Sequence, residues 1–183
     1  FLRVAIDGDN PEASIKADRQ QGFVLSHLAF LTSRHDAPDA AVAATAAYFD
    51  HVERTGAHRE PVYAFIAPAI TLRRHPGYRS AVLDELGARL GIASTALTWG
   101  ERAVTEAHTA MVSDADTGTG RHAYLGAEIL ACTELAEVLG ELSRHDDATV
   151  YRDRAVRLAT ARGWHGEAAR ARRVVSGHAV ITE

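Results

Sequence analysis

From Arg121 to Leu142 the large apolar residues Leu125, Ile129, Leu135, Val138, Leu139 and Leu142 recur at the three-to-four-residue spacing of an α-helix. Weaker stretches with the same period fill most of the remaining chain. No Asn-Gly hairpin turn and no run of alternating β-branched residues interrupts them. Composition points the same way. Alanine, the best helix former, occurs 35 times and proline only five times. The chain is therefore expected to be all-α.

Polar clusters and glycines divide it into helices. The spacing predicts a first helix over 11–34, opened by Pro11, with Phe23, His27, Phe30 and Leu31 on one face and Val24 and Leu28 beside them. A second is predicted over 38–54, closed by Thr55-Gly56, and a third over 60–74, with a kink or break at Pro68. Further helices are predicted over 78–90, 94–112, 121–142, 147–162 and 166–175. The fourth carries Val82, Leu83, Leu86 and Leu90 as its stripe, and the fifth Leu97, Val104 and Met111. Ser113 to Gly120 reads as a flexible loop. All 183 residues are expected to form a single helical-repeat domain, with 11–90 and 94–176 as sub-units.

Two segments share a design. Leu28 to Ala47 and Leu135 to Ala159 each read as an apolar helix, then Ser-Arg-His-Asp, then a second helix with small residues every three or four positions. A repeated helix–turn–helix unit implies stacking into an array. On these residues the chain resembles a tetratricopeptide repeat. Leu135, Ala136 and Leu139 occupy the positions of the repeat's first helix, and Ala148 and Ala155 match the small residues of its second. Arg152 stands where a large aromatic is usual, with Tyr151 adjacent. The resemblance covers 128–171, and more loosely 27–56. The chain is also similar in style to the repeat regions of large actinobacterial signal-transducing regulators. The stretch from Arg73 to Ile92 resembles the short helix that often terminates such repeats. The resemblance implies an α-solenoid of antiparallel helix pairs. It further implies a non-catalytic protein- or ligand-binding module of a regulatory protein, without a cofactor.

Charge and composition narrow the partners. The formal net charge is −4, which disfavours a nucleic-acid partner. No apolar run approaches the roughly 20 residues of a membrane-spanning helix. The chain opens at Phe1 without a leader pattern and reads as a cytoplasmic fragment of a longer protein or a processed product. A protein or peptide partner, a small-molecule ligand and a second copy of the chain are the candidates. The resemblance places Tyr124, Glu128, Thr133 and Glu137 on the exposed binding surface, and the apolar stripe opposite makes Glu128, Glu134 and Glu137 the solvated side of their helix.

The competing reading is a small helical enzyme or metal-binding bundle that uses several of the ten histidines, with His27, His51, His108 and His122 as its set. His35-Asp36 and His145-Asp146 resemble the pair of metal-dependent phosphohydrolases, but both fall in repeat turns where Asp serves better as a helix cap. Arg102 and His108 approximate the spacing of helical RNases, a match expected by chance among 19 arginines. Cys132 lies within an apolar face and reads as a packing residue. Trp164 is expected to pack back on the last repeat. Arg170, Arg172 and Arg173 are expected to complement a helix C-terminus.

Overall fold

The computed structural model describes residues 11–56, 61–115 and 121–174, with side chains over 12–56, 61–110 and 125–174. Among these residues there are eight α-helices and no strand. They are α1 (Pro11–Ser33), α2 (Pro38–Thr55), α3 (Pro61–Arg74), α4 (Ala81–Leu90), α5 (Ala96–Ala115), α6 (Arg121–Glu141), α7 (His145–Ala161) and α8 (His165–Arg172). Their ends follow local chemistry. Gly56, Gly91 and Gly163 each take a left-handed φ, near 70°, that lets the chain turn out of a helix. The Ser80 hydroxyl accepts from the Leu83 amide at 3.3 Å and starts α4. Pro68 does not break α3, which continues through it fully buried. Ser113 to Ala115, expected in a loop, instead continue α5; residues 116–120 lie outside the described residues.

The packing has a regular order. α1 packs on α2 and α3, α3 on α5 and α6, and α6 on α7 and α8, while α2 meets α3, α5 meets α6 and α7 meets α8. The short α4 docks on α2. There Arg89 reaches Asp50 at 3.0 Å and Glu53 at 2.7 Å. One core runs from Phe30 of α1 to Ala171 of α8. Its aromatic centre is a chain of rings, Tyr48 to Phe49, Phe49 to Phe65 and Phe65 to Trp99, with centroids 5.1, 5.0 and 6.0 Å apart.

Small side chains set the interfaces. α1 buries Gly22, Ser26, Ala29, Phe30 and Ser33, whereas Val24, Leu28 and Leu31 face outward. The expected apolar face of α1 is thus rotated, because small residues let α2 and α3 approach more closely than leucines would. The buried hydroxyls lose nothing: Ser26 and Ser33 donate to the carbonyls of Phe23 and Phe30 at 3.0 and 2.7 Å. Thr45, Thr71 and Thr133 are buried in the same way, each donating four residues back within its own helix.

The two turns after α6 and α7 are copies of each other, 20 residues apart. Ser143 and Gly163 have φ of 59° and 70°. The amides of Arg144 and Trp164 donate to Leu139 and Ala159, both at 2.9 Å, and those of Ser143 and Gly163 donate to Gly140 and Thr160, both at 3.0 Å. The Ser-Arg-His-Asp runs, by contrast, are not superposable. In the first the left-handed residue is Asp36, and in the second it is Ser143.

Close backbone approach makes one glycine critical. A Cβ on Gly87 would lie 2.5 Å from the Ile92 carbonyl oxygen, whereas one on Gly77 would meet nothing. The Ile92 carbonyl belongs to the turn that closes α4, so it has little room to yield. Gly87→Ala should lower stability by about 1–3 kcal/mol despite alanine's better helix propensity. Gly77→Ala should stay within about 0.5 kcal/mol of the parent. Urea unfolding of both variants checks the contrast.

Candidate functional site

Helix α6 is packed by α3, α5, α7 and α8, so its middle has no solvated side. This corrects the expected exposed surface. Glu128 is 1% exposed, Thr133 1% and Glu134 3%, and Glu137 is partly buried. Tyr124 lies in α6 outside the described side chains. The period of the leucines identifies one buried face, but the acidic face is buried too, because arginines from three other helices meet it.

Two ion-pair groups result. In the first, Arg154 of α7 donates to Glu128 Oε1 and also contacts His108 Nδ1 of α5 at 3.1 Å. Glu128 Oε2 has no hydrogen-bond partner. Cys132 is fully buried nearby, and burial, reinforced by Glu128 and opposed by Arg154, pushes its thiol up to about 12. Such a thiol is inert at neutral pH, as expected for a packing residue.

The second group is larger. Arg73, at the end of α3, reaches Glu134 at 3.2 Å, Glu137 at 2.5 Å and Glu141 at 3.0 Å. Arg170 of α8 donates to the other oxygen of Glu134. Burial opposes the charge on Arg73, but Glu137, Glu134 and Glu141 outweigh it and raise the guanidinium above its usual range. Burial, then the adjacent Glu134, pushes Glu137 up; Arg73 and Arg170 pull against them, and a hydrogen bond to Glu134 adds to the rise. Glu134 and Glu137 are therefore a pair of adjacent carboxyls held between Arg73 and Arg170.

Beside this pair a cleft of about 380 Å³ opens between α3, α6 and α8. Glu137, Gly140 and Glu141 line it from α6, Arg73 from α3, and Arg170, Arg173 and Val174 from the C-terminal end. Sequence alone marks Arg170 and Arg173 only as a helix-end cluster, and it gives Arg73 no site role at all. The available signal is the spacing Glu134, Glu137, Glu141, which places three carboxylates on one helical face.

The histidine set is not brought together. His27 stacks between Phe23 and Tyr63, with centroids 4.1 and 4.4 Å away. His51 is buried on α2, where its Nε2 contacts the Asp18 carbonyl of α1 at 2.8 Å. His108 faces Arg154, and His122 lies outside the described side chains. Among the described residues no group of three His, Cys, Asp or Glu side chains could hold a metal ion. The His-Asp dipeptides also do not cap. Neither α2 nor α7 has a side-chain cap; Asp36 pairs with His75 at 3.2 Å, and α7 instead begins with Asp147 bridged to Arg144 at 2.8 Å. Arg102 pairs with Glu106 and lies over the Phe65 ring. Trp164 rests against Gly126 of α6, where a Cβ would come within 3.4 Å of the indole.

Comparison with known protein families, with curated proteins and with solved structures finds no match. Among the described residues, no helix is long and apolar enough to cross a membrane.

The raised Glu137 carboxyl makes a testable statement about pH. A raised folded-state value means that the folded protein holds this proton more tightly than the unfolded chain does. Its contribution to stability is therefore complete below the ordinary glutamate value and declines as pH rises through the raised one. Glu137→Gln removes that decline. The stability of the variant relative to the parent should grow as pH increases from about 4 toward neutrality. Urea unfolding at a series of pH values measures it, and parallel curves for the two proteins would contradict the assignment.

Proposed function

We propose that this chain is a non-catalytic binding module of a regulatory protein, built as a tetratricopeptide-like array of antiparallel helix pairs. The packing order supports the array. α1, α3, α6 and α8 follow one another as one row, which the array reading takes as its inner row, and α2, α5 and α7 fill the intervals between them. The matching turns after α6 and α7 support a repeated unit.

The observation that carries the binding reading is the cleft. It opens between three helices of the inner row, and charged side chains of both signs from all three elements converge on it. Inner-row helices are where repeat arrays present their binding surfaces. The partner is a peptide segment or a small polar ligand that sits among these charges. No observation favours the histidine enzyme, since its residues are dispersed over separate helices.

Two measurements test this reading. An extended array should give a radius of gyration in solution scattering above the roughly 16 Å of a compact chain of this length. Peptides selected from a random displayed library should compete with one another for the protein. They should also lose at least about tenfold in affinity, near 1.4 kcal/mol, on Arg173→Glu or Glu141→Lys. Both residues are exposed enough to be changed without removing core contacts. A library that yields no binder, or binders indifferent to both changes, would overturn the binding reading.

A further inference from the structure

The walls of the cleft carry opposite charges. Arg170 and Arg173, three residues apart, present guanidinium groups from the C-terminal end, while Glu137 and Glu141, four apart, present carboxylates from α6. Gly140 lies between the two glutamates and leaves that stretch of wall without a side chain. We propose that the cleft binds a small zwitterion, a molecule with one carboxylate and one ammonium group, with its carboxylate on Arg170 and Arg173 and its ammonium on Glu137 and Glu141. The proposal rests on the binding-module reading and specifies its ligand class.

Hydrogen-bond capacity supports it. Arg170 uses Nη2 for Glu134 and Arg173 has no ion-pair partner among the described residues, so guanidinium donors remain for a carboxylate. Arg73, the third cation lining the cleft, keeps a buried Nε without a partner. On the other wall Glu141 gives Oε1 to Arg73 and is more than half exposed, so its second oxygen can accept from an ammonium. Electrostatics then select against simpler ions. A plain anion drawn to Arg173 would also face Glu137 and Glu141, and a plain cation would face Arg170 and Arg173. Arginines and glutamates both converge on the site, so a zwitterion meets a group of opposite sign at each end. A volume of about 380 Å³ is at the small end of ligand pockets and fits an amino acid better than a nucleotide.

The test is calorimetric titration of the full chain with glycine, 4-aminobutanoate and 6-aminohexanoate, whose charges are progressively further apart. Butanoate, butylamine and inorganic phosphate serve as single-charge probes. At least one amino acid of the series should bind at least about tenfold more tightly than every single-charge probe. Arg173→Gln and Glu141→Gln should each reduce that binding at least about tenfold while leaving the melting temperature of the free protein unchanged. Phosphate or butanoate binding as tightly as the best zwitterion would overturn the proposal in favour of a simple anion site. Failure of the whole amino-acid series would also overturn it. If selected peptides still depend on Arg173 and Glu141 in that case, the binding module stands and only the ligand class is wrong.

Discussion

The carboxylates of Glu128 and Glu134 are buried between α6 and its neighbours, and they can stay there only while cations reach them. Leaving such a charge unpaired costs several kcal/mol. Arg154 on α7 meets Glu128, and Arg73 on α3 and Arg170 on α8 meet Glu134. Each pair ties a different neighbour to α6. The apolar contacts that surround α6 tolerate small rotations, because they are not directional. Charged pairs with directional hydrogen bonds do not. The 8-residue α8 packs mainly on α7, and Arg170 is its chief tie to α6. The cleft exists because these pairs hold α3, α6 and α8 at fixed separations while Gly140 leaves space between them.

Close helix approach is the second constraint. The buried sides of α7 and α8 consist of Ala148, Ala155, Ala159, Ala168 and Ala171. Such surfaces bury little apolar area per residue, so stability must come from many contacts at short range. The serines and threonines buried among the other helices satisfy their hydroxyls within their own backbones and behave as slightly larger alanines. The buried aromatic rings from Tyr48 to Trp99 form one chain that joins α2, α3 and α5.

The helices themselves were legible in the sequence because their punctuation is local. Gly56, Gly91 and Gly163 end helices, and Pro11, Pro38 and Pro61 begin them, through backbone preferences that need no tertiary partner. The faces were less legible. In α1 the sequence pattern points to Leu31, with Val24 and Leu28 beside it, yet these residues are exposed and Ser26 and Ser33 are buried. Hydrophobicity ranks leucine above serine, but the fit between closely packed helices ranks small above large. The site was least legible. The partners of Glu128 and Glu134 lie 26, 36 and 61 residues away in the chain. An acidic stripe looks solvated until the arginines that bury it are known. The histidines mislead for the opposite reason, since sequence shows their number but not that stacking and backbone contacts already occupy His27 and His51.

The paired turns after α6 and α7 bear on how such a chain can lengthen. Each uses the same left-handed residue position and the same two backbone bonds, 20 residues apart, with Ser143 filling in one the place that Gly163 fills in the other. A helix and its turn therefore form a module whose exit direction is set by its own backbone rather than by the helix after it. Duplication of such a module would hand the next helix on in the same orientation, and its first test would be only whether small residues face the helix before it. Growth by tandem copying needs no redesign of the joints, which leaves mutation free to act on the charged residues between the helices.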